Sequence, residues 1–144
     1  MADVFDVAKY ILESKGSLST WKLQKLCYYA QAWALAWTAQ PLFDEEFQAW
    51  SNGPVCPDLF REHRGKFSVS ADDLKKGDSE QLTEDERDTI NVVLNDYGDM
   101  QPYALRELTH NEAPWKIARG SLSEGARCQT VISKASMGDY YGSL

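Results

Sequence analysis

The sequence has few of the side chains on which most enzyme chemistry depends. It holds two histidines and three cysteines among 144 residues, and neither histidine stands in a recognisable nucleophile motif. Cys56 and His63 have no second close pair that would complete a zinc site. No glycine-rich loop follows a predicted strand, so no phosphate cradle is indicated. We therefore predict a protein that is not an enzyme and needs neither a metal ion nor a cofactor.

Basic residues are also scarce. The chain has 15 Lys and Arg against 22 Asp and Glu, which gives a formal net charge of −7. Because phosphate neutralisation needs clustered Lys and Arg, this balance makes nucleic acid and anionic membranes poor partners. It suits a basic protein partner or simply solubility. The longest weakly charged run, 26–43, contains Gln31, Gln40 and Pro41, so we expect no membrane span.

Oxidised cysteines and a signal peptide are not indicated either. Cys27, Cys56 and Cys128 are far apart and odd in number, which is typical of reduced thiols. The amino terminus carries Asp3 and Asp6 where a signal peptide would be basic. We expect a cytoplasmic location.

The chain does show strong helical periodicity, and we predict a mainly α fold with a very small β element. The expected architecture is a single compact helical domain, residues 1–144, around one long central helix. Capping and breaking residues predict helices at 4–15, 20–39, 84–97, 102–108, 114–119 and 135–141, and a helix that begins at Pro57 and carries Leu59 and Phe60. Extended segments are predicted at 47–50 and 130–132, and a short helix in the polar segment 65–81.

The long helix is apolar on two sides. At 100° per residue one side carries Leu23, Leu26, Cys27, Ala30, Ala34 and Trp37, and we predict that this side is core. The opposite stripe comprises Trp21, Tyr28, Ala32 and Leu35, interrupted only by Lys25. A helix with two apolar faces is either central in its domain or shared with a partner.

A helix-turn-helix outline is the main alternative. Thr20, Trp21, Lys22 and Lys25 begin a helix after a short connection from the first one, as in DNA-binding proteins. The second helix, however, is about twice as long as a recognition helix and has few polar groups to read base edges. A DNA-binding regulator of its own operon therefore stays a second hypothesis behind protein binding.

Four blocks of the sequence resemble the Panacea domain family of antitoxins, which includes SocA-like and prophage-associated GepA-like proteins. They are "VAKYIL" (7–12), "WKLQKLCYYAQAWALA" (21–36), "PLFDEEFQAWSNGPVCPDLF" (41–60) and "LRELTHNEAPWKIARG" (105–120). The long central block is specific, whereas "GPV" alone is weak. Cys27 departs from the aliphatic residue usual there, which changes little because a buried thiol behaves as a small hydrophobe.

The resemblance implies an antitoxin that binds a cognate toxin encoded by a neighbouring gene, with delivery of the toxin to a ClpXP-type protease as a further mechanism seen in the family. Trp and Tyr concentrate binding energy in desolvated interfaces. On that basis we predict a partner-binding set made of Trp21, Lys25, Tyr28, Trp33, Trp50, Asn52, Gly53 and Pro54.

Overall fold

Helices dominate the computed structural model, which describes residues 1–144. About 58% of the chain is helical and 9% is strand, so the predicted mainly α class with a small β element is confirmed. The helices are α1 Val4–Lys15, α2 Thr20–Thr38, α3 Pro57–His63, α4 Glu84–Tyr97, α5 Pro102–His110, α6 Ala113–Arg119 and α7 Lys134–Gly142. The strands are β1 Leu18–Ser19, β2 Phe47–Trp50, β3 Gly53–Val55, β4 Ser68–Val69 and β5 Val131–Ile132.

Side-chain caps fix where the main helices begin. Asp3 and Asp6 form a capping box at α1, and Thr83 and Glu86 form one at α4. The Ser19 hydroxyl accepts a hydrogen bond from the Lys22 amide at the start of α2. These caps account for the predicted starts of the helices at 4, 20 and 84.

The helix α2 is the longest in the chain and buries 12 of its 19 residues. It packs against α1, α4, α5 and α7, with its most extensive contact to α7. The second apolar stripe is covered largely by the chain itself, because Tyr28 is 1% exposed. Gly138 of α7 lies so close that an added Cβ atom would sit 3.7 Å from the Cβ atom of Leu35.

One residue of the predicted inward side is placed differently. Trp37 is 51% exposed and lies in the last turn of α2, where its ring centroid is 5.2 Å from that of Trp33. The angle alone put Trp37 in the core, and the prediction is wrong because the fold leaves residues 37–40, at the end of α2, exposed. Its C-cap residue Ala39, at φ 61°, is exposed as well.

The strands form two small antiparallel sheets. β2 lies between β3 and β5, and Trp50 pairs with Gly53 across the two-residue turn Ser51–Asn52. Gly53 has a φ of 115°, a conformation that residues with a side chain rarely adopt. The predicted extended segments at 47–50 and 130–132 are thereby confirmed, and the turn signal of Gly53 and Pro54 closes a hairpin.

The polar segment 65–81 is not the predicted short helix. It holds strand β4, which pairs with β1, and two 3₁₀ turns, Ala71–Asp73 and Ser79–Gln81. Tertiary bonds hold it extended: the Lys9 ammonium donates to the carbonyls of Ala71 and Leu74. Such anchors lie far away in sequence, so local periodicity could not reveal them.

One cluster of 34 buried apolar residues, from Ala2 to Tyr141, forms the core. All three cysteines are buried and free. None of the helices combines the length and hydropathy that crossing a membrane requires. No group of three or more His, Cys, Asp or Glu side chains is placed to hold a metal ion.

Candidate partner-binding site

A small cavity opens where the first turns of α2 and α5 meet the turn of the β2–β3 hairpin. Its volume is about 170 Å³. The residues that line it are Trp21, Lys25, Asn52, Pro102, Tyr103 and Arg106. We call it the Lys25 pocket. It joins a rim of exposed aromatic surface to two cationic side chains, since Trp21 is 38% and Tyr103 70% exposed.

Lys25 lies one helical turn after Trp21 on α2 and is 1% exposed. Its Nζ atom is 5.4 Å from the centroid of the Trp21 ring, within cation–π range. Its stem runs against the hairpin turn, where a Cβ atom added to Gly53 would lie 2.6 Å from the lysine Cε atom. Glycine at position 53 therefore both closes the turn and leaves space for the lysine.

Burial, together with the charge of Arg106, lowers the pKa of Lys25 to about 7. No carboxylate of the chain pairs with its ammonium, and no side chain or carbonyl accepts a hydrogen bond from it. A buried ionisable group without a partner opposes folding. The stability of the fold alone therefore does not explain a lysine at position 25.

The second cation of the pocket is held in place by its neighbours. The Arg106 Nε atom donates to the Asn52 side-chain oxygen over 3.4 Å, which links α5 to the hairpin turn. Its guanidinium nitrogens lie 3.6 Å from a Glu107 oxygen and 3.9 Å from a Glu124 oxygen. The charge of Arg106 is thus largely matched within the chain, and that of Lys25 is not.

The hairpin behind the pocket is fixed by α6. The Trp115 indole donates a 2.9 Å hydrogen bond to the Trp50 carbonyl, and Arg119 donates a 2.8 Å bond to the Ala49 carbonyl. The other end of the Arg119 guanidinium donates to the carbonyls of Ser123, Glu124 and Ala126. Trp115 is 5% exposed and so acts as a buried anchor between α6 and the hairpin.

His110 belongs to the same support. Its ring stacks on Trp115 at a centroid distance of 3.9 Å, and its Nδ1 atom lies 2.8 Å from a Glu124 oxygen. Burial lowers the pKa of His110, so the ring is neutral at pH 7 and Nδ1–H donates to the carboxylate. The bond from His110 in turn lowers the pKa of Glu124.

Behind α6 lies a carboxylate buried among tyrosines. Glu112 is 7% exposed, and its Oε1 atom accepts 2.7 Å hydrogen bonds from the hydroxyls of Tyr29 and Tyr141. The Tyr141 hydroxyl also lies 3.2 Å from that of Tyr28. Burial raises the pKa of Glu112, since no cation compensates its charge. This network ties α2 and α7 to the residue that begins α6.

Three of the eight predicted partner-binding residues line the Lys25 pocket: Trp21, Lys25 and Asn52. Gly53 and Pro54 are buried in the hairpin beneath it. They shape the pocket without offering a surface. These five residues come from two separate sequence blocks that the fold brings together: Trp21 and Lys25 from one block, and residues 52–54 from the other.

The other three lie elsewhere. Tyr28 is in the core, where it packs on Phe47 with ring centroids 5.4 Å apart. Trp33 is about 18 Å along α2 from Trp21, given a rise of 1.5 Å per residue, and its indole donates to the Tyr97 hydroxyl. Trp50 is half-buried and packs edge-on against Phe60.

Sequence reasoning missed the wall that α5 contributes. Pro102, Tyr103 and Arg106 were assigned no binding role, although Pro102 and Arg106 are four residues apart and so share one helix face. That spacing was the available signal. It gave no indication of α2 as the opposing surface, because helix orientation depends on packing.

A wider concave surface lies apart from this pocket. Its volume is about 600 Å³, and it is lined by Asp44, Glu45, Glu46, Gln48, Pro57, Asp58, Arg61 and Val131. One of its carboxylates has a structural role, because a Glu45 oxygen accepts a hydrogen bond from the Val4 amide at the start of α1.

Residues 23–116, about two-thirds of the chain, match the family model described as antitoxin SocA-like, Panacea domain. No significant match was found among curated proteins or among solved structures. The matched range includes most of α2, the β2–β3 hairpin, α5 and the first residues of α6, and therefore every wall of the Lys25 pocket except Trp21. The chain therefore belongs to the SocA-like antitoxins with a Panacea domain.

Proposed function

We propose that this protein neutralises a cognate toxin, encoded by a neighbouring gene, through direct protein–protein binding. Membership of the antitoxin family supports a toxin partner in general. The observation that carries the direct-binding mechanism is the Lys25 pocket, where a buried unpaired cation lies beneath the exposed rings of Trp21 and Tyr103. We propose that binding takes place in the cytoplasm.

The surface has the composition of a binding hot spot. At a hot spot, truncating an aromatic side chain typically costs about 2 kcal/mol or more of binding free energy. Trp21 and Asn52 offer direct contacts at the rim, whereas Gly53 and Pro54 hold the turn in position. Tyr28 supports this face from the core.

Trp33 and Trp50 are proposed as peripheral contacts. Both are half-buried, so each offers an edge rather than a whole ring to a partner. Trp33 lies about 18 Å along α2 from Trp21, so only a toxin covering a broad surface can reach both of these residues.

Burial disfavours the alternative of a DNA-binding regulator. A recognition helix presents its side chains to base edges, but α2 buries 12 of its 19 residues, including Lys25. Most of this helix cannot enter a groove without unfolding the core.

Co-expression with the neighbouring toxin gene tests the proposal. We expect the antitoxin to restore growth and to co-purify with the toxin. If the antitoxin neither restores growth nor co-purifies with the toxin, the proposed function is wrong. The same strains lacking a ClpXP-type protease separate two mechanisms: neutralisation by occlusion persists without the protease, and neutralisation by delivery is lost.

A further inference from the structure

The Lys25 ammonium is buried at the wall of a pocket, where it contacts the Trp21 ring but has no carboxylate and no hydrogen-bond acceptor in its own chain. Lys25 is 1% exposed, lies on α2 and faces the hairpin turn and α5. Its position against Gly53 is specific, since any larger residue there would meet the lysine stem. An unpaired buried cation lowers stability, so its presence indicates a ligand of opposite charge.

The size of the pocket restricts that ligand. Its volume of about 170 Å³ is well below the roughly 300–1,000 Å³ of sites that take cofactors or drug-sized molecules. The pocket has space for one side chain of a partner. The rings of Trp21 and Tyr103 supply apolar walls for the methylene groups of such a side chain and exclude water around its end.

The charge of the pocket restricts the ligand further. Arg106 already lies within ion-pair distance of Glu107 and Glu124, which leaves the charge of Lys25 as the uncompensated one. The first turn of α5 forms one wall and has no side-chain cap, so its positive end adds to the attraction for an anion. One negative charge matches this arrangement better than the two of a phosphate.

We propose that the Lys25 pocket binds the carboxylate of one Asp or Glu side chain of the toxin. This inference rests on the proposed function and deepens it by naming the group that is recognised. The carboxylate pairs with the Lys25 ammonium, and the Arg106 guanidinium and the Asn52 amide lie at the side of the pair. A charged hydrogen bond in such a water-poor site is short and strong.

A dependence on pH follows from the surroundings of Lys25. The titratable groups that face it are Arg106 and, more distantly, the neutral His110, both from α5. The carboxylates of Glu107 and Glu124 lie against those two residues, and none pairs with Lys25 itself. Because the pKa of free Lys25 is about 7, the amine is largely neutral at pH 9. Carboxylate binding then requires uptake of a proton, so affinity falls between pH 7 and pH 9.

The pairing is tested with purified antitoxin and toxin. We expect Lys25→Met to weaken toxin binding at pH 7 by about 30-fold or more, the scale for removing one partner of a buried charge pair. Lys75→Met alters an exposed lysine and should bind like the wild type. The affinity of Lys25→Met should not change between pH 7 and pH 9 through this site.

The partner group is then located by replacing each surface Asp by Asn and each Glu by Gln in the toxin. One of these toxin variants should lose as much affinity for the wild-type antitoxin as Lys25→Met loses for the wild-type toxin. Combining that toxin variant with Lys25→Met should lower the affinity little further. If Lys25→Met binds like the wild type, or if no toxin carboxylate couples to it, the inference is wrong while the proposed function stands. If the wild type itself fails to bind the toxin, the proposed function is wrong.

A probe that does not require the toxin reads the pocket directly. Sodium acetate and sodium phosphate are added at matched ionic strength while the NMR signals of the Trp21 indole and the Asn52 amide are followed. Acetate should cause saturable shifts in the wild type and none in Lys25→Met. The absence of shifts with acetate, or larger shifts with phosphate, would overturn the assignment to a carboxylate.

Discussion

The Trp115 indole donates a 2.9 Å hydrogen bond to the Trp50 carbonyl, which joins α6 to the last residue of β2. The ring is 5% exposed and is stacked between His110 and the Arg119 guanidinium. This single side chain therefore packs three elements together behind the hairpin that forms one wall of the Lys25 pocket.

Replacing this anchor should destabilise the fold. We expect Trp115→Ala to lower the free energy of unfolding by about 3–5 kcal/mol, because a large buried ring is lost and a cavity remains. Trp115→Phe keeps most of the packing but loses the donor to Trp50, so it should lower the free energy less. Urea denaturation followed by circular dichroism measures both. An unchanged midpoint for Trp115→Ala would contradict the burial.

Trp21 and Tyr28 are predicted to have opposite roles, although both lie on the second stripe of α2. Trp21→Ala should leave the melting temperature nearly unchanged, since the ring is 38% exposed, and should weaken toxin binding by about 30-fold if the ring is a hot spot. Tyr28→Ala should destabilise the fold instead, because Tyr28 is 1% exposed.

Melting curves and binding titrations on the two variants decide the point. A fold that tolerates Tyr28→Ala but loses toxin affinity would show that the stripe is shared with the partner rather than covered by α7.

Removing the charge of Lys25 should stabilise the free antitoxin. The pKa of Lys25 is about 7 in the folded chain, against an ordinary lysine pKa of 10.5. The unfolded chain therefore binds the extra proton more tightly, and wild-type stability rises with pH between 7 and 10.5. We expect Lys25→Met to raise the free energy of unfolding at pH 6–7 by about 1–4 kcal/mol, as when other buried charges are replaced by apolar groups.

This advantage should shrink as the pH rises, because the wild type gains stability and the variant does not. Urea denaturation at pH 6 and pH 9 measures it, with Lys75→Met as the exposed control. Destabilisation by Lys25→Met at both values would show that the ammonium contributes to the fold.

Glu112 should give the opposite dependence on pH. Burial raises its pKa above the ordinary glutamate value of 4.5, so the folded chain binds this proton more tightly than the unfolded chain. Its contribution to stability is therefore greatest below pH 4.5 and declines as the pH rises through the folded pKa. Glu112→Gln should remove this decline, since an amide oxygen still accepts from Tyr29 and Tyr141 and carries no charge.

Glu112→Ala provides the contrast, because it leaves both buried hydroxyls without an acceptor. Such a loss costs about 1–3 kcal/mol for each unsatisfied group. Thermal melts from pH 4 to pH 8 distinguish the variants, and equal losses for Gln and Ala would argue against the hydrogen-bond network.

Local signals in the sequence were sufficient for much of the fold. The capping boxes at Asp3 and Thr83 and the proline at the start of α3 act within one helical turn, and each helix begins where they indicate. The segment 65–81 could not be predicted in the same way, since its bonds to α1 cross more than sixty residues.

The candidate site was predictable in part for the same reason. Trp21 and Lys25 were recognisable because Trp21 begins a second apolar stripe on the long helix and Lys25 interrupts that stripe. The opposite wall, with Tyr103 and Arg106, depends on how α5 packs against the hairpin. Glu112 and Arg119 are charged residues whose buried partners become visible only in the fold.

Hydrogen–deuterium exchange of the antitoxin with and without its toxin tests the central claim most directly. Binding at the Lys25 pocket predicts slower exchange in the complex for peptides covering residues 20–26, 51–54 and 101–107. The acidic surface at 44–46 should exchange at the same rate in both states. Protection confined to that acidic surface, or no protection anywhere, would contradict the proposal that this antitoxin binds its toxin through the Lys25 pocket.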